Sequence, residues 1–199
     1  TRYIGDWSSD VCSSDLEKYV HVGATMFAGY GTSRTVLDLN SDYDSESVKT
    51  TLENTKYQRG SYTEIGDALK FVCDTMFTET MGDRGDAQNY LILLTDGKSN
   101  SGPEPVRTEA KACRDKGVRI ATVGIGPNTD EDILKEIAYS MPNYYLSTNY
   151  SALPETLPNL VVQTIDCGSE FVLNFGYDKY LDIDAIRQMI ETAAKEKLK

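Results

Sequence analysis

The run Tyr90-Leu91-Ile92-Leu93-Leu94 constrains this chain more than any other segment. A strand with one wet face alternates apolar and polar residues. An unbroken apolar run closed by Thr95-Asp96-Gly97 instead reads as a strand buried on both faces, as in parallel sheets. In open α/β sheets, ligands bind in the crevice at the carboxyl ends of the strands, so Asp96 stands where a binding group or metal ligand would be sited. By itself the Asp-Gly pair is also an ordinary turn. The order of the surrounding segments decides between the two.

That order alternates strands with helices. Tyr19 to Phe27 is rich in β-branched and aromatic residues and reads as a strand, and Arg34 to Leu39 as a short second one. Ser45 to Asn54 is compatible with a short helix. Glu64 to Thr78 reads as a helix with Ile65, Ala68, Leu69, Val72, Cys73 and Met76 on one face. Pro103 and Pro105 open a further helix with Val106, Ala110 and Cys113 inward, closed by Gly117. Val118 to Val123 is a strand, after which Thr129, with Asp132 three residues on, is expected to cap a helix. Tyr144 to Leu146 is a short strand and Ser151 to Ile165 a closing helix. Strands and helices in this alternation predict a doubly wound, mostly parallel α/β sheet flanked by helices on both faces.

The first sixteen residues do not belong to this pattern. TRYIGDWSSDVCSSDL resembles a translated short-read sequencing adapter, whose codons GAC TGG AGT TCA GAC GTG TGC TCT TCC GAT give Asp6 through Asp15. Thr1 to Leu16 is therefore set aside, as a fusion scar would be. Removing Arg2, Asp6, Asp10 and Asp15 takes the count from 20 basic and 31 acidic residues to 19 and 28, a net charge of −9 instead of −11. An acidic surface repels phosphate backbones and anionic lipids, which argues against a nucleic-acid or membrane-surface role. No apolar run is long enough to cross a bilayer, so no membrane insertion is expected. Without Cys12 the cysteines number three, so they cannot all pair within the chain.

Several segments, in sequence, resemble the von Willebrand factor A domain. Val22 to Phe27 and Arg34-Thr35-Val36-Leu37-Asp38-Leu39 are similar to the family's second and third strands. Gly60-Ser61-Tyr62-Thr63-Glu64-Ile65-Gly66-Asp67-Ala68-Leu69 is similar to the loop entering its third helix. Leu93-Leu94-Thr95-Asp96-Gly97 and Gly117 to Gly126 resemble its fourth and fifth strands. The resemblance spans residues 17–167. It implies a divalent-cation site at the strand carboxyl ends, with a D-x-S-x-S motif after the first strand, a threonine before the third helix and an aspartate after the fourth strand. Carried over, Thr63 supplies the hydroxyl and Asp96 the carboxylate, direct or through water. Oxygen-only ligation suits Mg²⁺ or another hard cation, with positions left for a partner's carboxylate. Thr63 also has a plain reading as a helix N-cap.

The resemblance leaves the first strand and its D-x-S-x-S motif unaccounted for before Glu17. Residues 168–199 offer a substitute. Glu170 to Asp178 resembles the degenerate first strand of a second such domain, with Asn174, Gly176 and Asp178 where Asp, Ser and Ser would stand, and Asp182 to Leu198 resembles its first helix. Glycine offers no side-chain oxygen and asparagine no charge, which leaves Asn174 and Asp178 as minor metal candidates. An orphan apolar strand and a sheet lacking its centre are each incomplete. Because domain termini lie close together, Phe171 to Phe175 is predicted to fill the missing slot and complete a permuted sheet.

Other residues weigh less. Arg84-Gly85-Asp86 is a tripeptide recognised by some integrins, but short matches arise often by chance and a polar loop is the favoured reading. Asn149-Tyr150-Ser151 fits the glycosylation sequon, meaningful in a secreted protein. Gly124-x-Gly126 is a tight turn without the third glycine of a dinucleotide site. Cys73 and Cys113, on core faces, are expected to act as small hydrophobes. The family resemblance makes Cys167 the disulfide candidate, with a partner before the first strand. His21 is the only histidine, so neither a zinc site nor a Ser/His or Cys/His catalytic pair can be assembled. The resemblance thus implies a non-enzymatic adhesion module of an extracellular matrix or cell-surface protein, binding protein ligands such as collagen or an integrin. The alternative is an intracellular member that works in assembling a multiprotein complex.

Overall fold

A computed structural model describes residues 21–40, 50, 51, 54, 55, 62–138, 145–153, 156, 160 and 169–176. The strands are β1 (His21–Phe27), β2 (Arg34–Leu37), β3 (Asn89–Thr95), β4 (Arg119–Ile125), β5 (Tyr145–Thr148) and β6 (Glu170–Gly176). The α-helices whose bounds lie among the described residues are α1 (Ile65–Phe71), α2 (Pro103–Asp115) and α3 (Glu131–Ile137). They form one six-stranded sheet in the order β2-β1-β6-β3-β4-β5. Only β2 runs antiparallel, against β1. The mostly parallel α/β architecture read from the sequence is therefore the one observed.

The last strand of the chain occupies the centre of the sheet. β6 pairs in parallel with β1, Val22 to Phe171 through Phe27 to Gly176, and on its other edge with β3, Tyr90 to Phe171 through Leu94 to Phe175. This is the slot expected for Phe171 to Phe175, with Glu170 and Gly176 extending it. Without β6 the pair β2-β1 would share no ladder with β3-β4-β5.

Apolar runs dictate where the core sits. Leu91 and Leu93 of β3 pack with Val172, Phe27 and Ile120 against Leu69 of α1 and Val72 just after it, Val106 and Ala110 of α2, and Ile133 and Ile137 of α3. Side chains alternate across a strand, so Ile92, Leu94, Leu173 and Val123 turn to the opposite face, where they too are buried. That is why the β3 run carries no polar alternation. Helices α1 and α2 approach closely at Gly66, where a methyl group would lie 3.0 Å from the Pro105 carbonyl carbon. Any larger residue would push the two helices apart.

Three local expectations change. The helix predicted to continue to Thr78 is α-helical only through Phe71, and Val72–Met76 is a π-helical turn. Cys73 within that turn is bonded to Cys113 of α2, with Cα atoms 5.6 Å apart. The two are therefore not free hydrophobes. Each lies on the face its helix turns to the other, a juxtaposition that helical periodicity alone does not reveal. Closing a loop of 40 residues is worth about 4 kcal/mol by the chain-entropy estimate. Asp130, not Thr129, caps α3, its Oδ1 accepting from the Ile133 N–H at 3.3 Å. The Thr129 hydroxyl turns back to the Gly126 carbonyl. The helix readings at 45–54 and 182–198, together with Cys167, Asp178 and residues 1–20, lie wholly or largely outside the described residues.

Candidate metal and ligand-binding rim

The carboxyl ends of β1 and β3 are joined by the segment that enters α1. The Glu64 N–H donates to the carbonyl of Ala28, just past β1, at 2.9 Å. One residue earlier, the Thr63 N–H donates to Asn100 Oδ1 at 2.5 Å, and the Asn100 N–H returns a bond to the Thr63 carbonyl at 2.8 Å. The Ser101 hydroxyl donates to Glu64 Oε2 at 2.5 Å. The loop after β3 is folded on itself by Thr95, whose hydroxyl donates to the Gly97 carbonyl and accepts from the Gly97 N–H. Thr63 is thereby held against the Asp96–Gly97 turn, where a methyl at Gly97 would stand 3.2 Å from Thr63 Oγ1. Thr63 thus lies beside Gly97, the residue that follows Asp96. The helix-capping alternative for Thr63 does not hold: the N-cap position of α1 is Glu64, with no side-chain cap.

In kind, a hydroxyl and a carboxylate suit a hard cation. In number they fall short, because such ions take six or more oxygens. Asn174 does not extend the set at the rim. It lies level with Thr25 and Leu93 inside the sheet, 1 % exposed, and both its side-chain amide atoms lack a partner. Gly176 brings no side-chain oxygen, and its neighbour is the Phe27 ring. Among the described residues there is no cluster of three or more His, Cys, Asp or Glu that would hold a metal.

The opposite end of the sheet holds a charge cluster that the sequence did not reveal. Glu170, at the foot of β6, is completely buried. Its Oε1 accepts from Arg84 Nε at 2.6 Å, and the Arg84 N–H bridges both carboxylate oxygens at 3.1 and 3.2 Å. His21 Nδ1 lies 3.4 Å from the same oxygen. Burial pushes the Glu170 carboxyl up to about 7, against the pull of Arg84 and with a further push from Asp83. Burial, with Arg84 second, holds His21 below its ordinary value. The arginine of Arg84-Gly85-Asp86 is thus bound to Glu170 at the sheet's foot. A glutamate opening an otherwise apolar central strand was the available signal, since such a charge is rarely buried without a partner.

The von Willebrand factor type A domain model matches residues 11–159. The chain belongs to that family. Among its relatives, the collagen alpha-1(XII) chain of Notophthalmus viridescens is 35% identical over 127 residues, covering 60% of this chain and 13% of the relative. Human matrilin-1 is 27% identical over 187 residues, covering 90% of this chain and 36% of the relative. The chain thus spans about a third or less of these relatives. In fold it is similar to proximal thread matrix protein 1 of the mussel byssus, solved with a zinc-occupied MIDAS motif, with a TM-score of 0.59 and 24% identity over 86% of this chain and 57% of the other. The manganese-loaded TRAP protein of Plasmodium vivax aligns with a TM-score of 0.60 at 19% identity, over 76% of this chain and 59% of that one. In this von Willebrand factor A domain the family match stops at residue 159, so the central strand β6 comes from beyond it.

Asn149, the sequon residue, is exposed ahead of a 3-10 turn, its side-chain Oδ1 accepting from Ser151 Oγ and the Ala152 N–H.

Proposed function

We propose that this domain is a non-enzymatic protein-binding module of an extracellular matrix or cell-surface protein, and that its ligand face is the Thr63/Asp96 rim. The observation that carries this is the seating of Thr63 against the Asp96–Gly97 turn at the carboxyl ends of the parallel strands, the customary ligand position of such sheets. Oxygen donors of this type favour Mg²⁺ or Mn²⁺, bound weakly because few protein oxygens are on offer. A cation held this way keeps open positions for a carboxylate of the ligand, and fibrillar collagen is the first ligand to try. The buried Cys73–Cys113 disulfide and the exposed Asn149 sequon favour an extracellular setting over intracellular assembly work. Residues 168–199 are read as the start of a second, degenerate domain that lends its strand to this sheet.

The test is binding of the protein to immobilised collagen in Mg²⁺, in Mn²⁺ and in EDTA. Asp96→Ala is expected to weaken binding about tenfold, the cost of one charge-assisted contact, and EDTA to weaken it no more than that. Equal binding by wild type and Asp96→Ala would remove the rim from the ligand face.

A further inference from the structure

Two side chains at the rim break the pattern of burial. Tyr30 is 83% exposed and Tyr62 is 63% exposed, and they are the large apolar side chains most open to solvent among the described residues. Hydrogen-bonded backbone adjoins each of them. The Thr32 hydroxyl donates to the Gly29 carbonyl at 2.6 Å and accepts from the Ala28 N–H at 3.2 Å, closing the turn that carries Tyr30. Gly31 takes a left-handed φ of 67°, and its N–H donates to Asp67 Oδ2 at 3.0 Å, where the Ser33 hydroxyl also donates. Tyr62 directly precedes Thr63, which Asn100 holds from both sides. A methyl at Gly29 would lie 3.7 Å from Tyr62 Cβ, so the two segments are in contact.

Loops braced this firmly hold both phenols in water before any ligand arrives. Tyrosine serves interfaces well because it offers a large contact area at a small cost in conformational entropy. Charge narrows the partner. Glu64 follows Tyr62 by two residues, Asp67 of α1 is bonded to the Tyr30 turn, Asp96 precedes the Gly97 that lies beside Thr63, and the whole chain has a net charge of −11. Lys98 instead lines a cavity of about 200 Å³ with Ile65, Pro103 and Asp130. A phenol face attracts a cation, arginine more often than lysine, and carboxylates nearby reinforce it. An acidic segment would gain neither term.

We propose that Tyr30 and Tyr62 are an aromatic contact site for an arginine-bearing segment of a protein ligand. It rests on the rim being the ligand face and adds the second contact that such a ligand makes. The probe is a fluorescent dodecapeptide of alternating proline and arginine, compared by anisotropy with its counterpart carrying glutamate at each arginine. EDTA is present throughout, so that no cation takes part. The wild-type domain is expected to bind the arginine peptide at least tenfold more tightly than the glutamate peptide. The double variant Tyr30→Ala/Tyr62→Ala should lose about tenfold, while Tyr30→Phe/Tyr62→Phe, which keeps both ring faces, should stay within about twofold. Tyr30→Ser alone, at a position so open to solvent, gives a partial loss with no risk to folding. Asp115→Asn, exposed at the last residue of α2 and away from the rim, should leave this binding unchanged, which separates the tyrosine pair from the general acidity of the surface. The proposal is overturned by no binding to wild type, by equal binding of the two peptides, by an alanine double variant that binds like wild type, or by an Asp115→Asn loss as large as that of the tyrosine pair.

Discussion

The two ends of the central strands use charge in opposite ways. At the carboxyl rim, Asp96 and Thr63 are only partly buried and sit on backbone that other residues brace. At the amino foot, Glu170 is sealed from solvent and paired with Arg84 and, more distantly, His21. A charge left near water keeps its capacity to meet a ligand. A buried one is committed to the fold, because its desolvation is offset only while its partners stay in place. The foot therefore fixes where β6 belongs, and the rim is what the fold leaves over for binding.

The contrast breaks most sharply if β6 is removed. Deleting residues 168–199 takes away the strand that joins β1 to β3 through ladders on both edges. The expected outcome is loss of the cooperative thermal transition, that is, of the whole folding free energy, about 5–15 kcal/mol for a domain. Circular dichroism melting checks it. An unchanged melting curve would mean that β6 does not anchor the sheet and that the foot cluster is incidental.

A smaller effect separates the two ends directly. Arg84→Ala leaves Glu170 buried without its main partner and is expected to cost about 3–5 kcal/mol, whereas Thr63→Ala at the rim should cost under about 1 kcal/mol. Urea unfolding measures both. The pH dependence adds a sign. Glu170 titrates at about 7 in the folded protein against an ordinary 4.5, so the folded state holds more protons between those values. Its contribution to stability is complete below about 4.5 and is lost as pH rises through 7. His21 runs the other way: it is held below its ordinary value, so its contribution is present above about 6.5 and lost as pH falls through its lowered value. Glu170→Gln should remove the first slope and keep the second, so its melting temperature should gain on wild type between pH 5 and 8.

The sequence made the rim legible and left the foot hidden. Asp96 ends a strand that no other pattern explains, and Thr63 precedes a helix at a spacing with family precedent, so both could be placed from local signals. The vacancy at the sheet centre could be inferred because Phe171 to Phe175 is an apolar strand with nowhere else to go. Glu170 with Arg84, and Cys73 with Cys113, are separated by 86 and 40 residues. Their pairing depends on how strands and helices are laid side by side, which no local pattern encodes. Thr129 against Asp130 is a different failure: adjacent residues both suit a cap, and one backbone angle selects between them.

The finest test falls on Asn174, which the family resemblance put at a metal-ligand position and the fold buries in mid-strand. Its Nδ2 and Oδ1 have no partner, and neither does the buried hydroxyl of Thr25 beside it on β1. An unpaired buried amide costs about 1–3 kcal/mol, and leucine keeps the same branched heavy-atom skeleton, at a larger volume, among apolar neighbours such as Leu93. Asn174→Leu is therefore expected to stabilise the domain by about 1–2 kcal/mol in urea unfolding, with binding at the rim unchanged. If that variant instead lost Mn²⁺ binding in a calorimetric titration, Asn174 would be reaching the rim, and the division between a binding end and a structural interior would fail at this residue. A core that improves when a polar group is deleted, with the rim untouched, would mean that β6 carries its asparagine as an imperfect fit to the slot it fills.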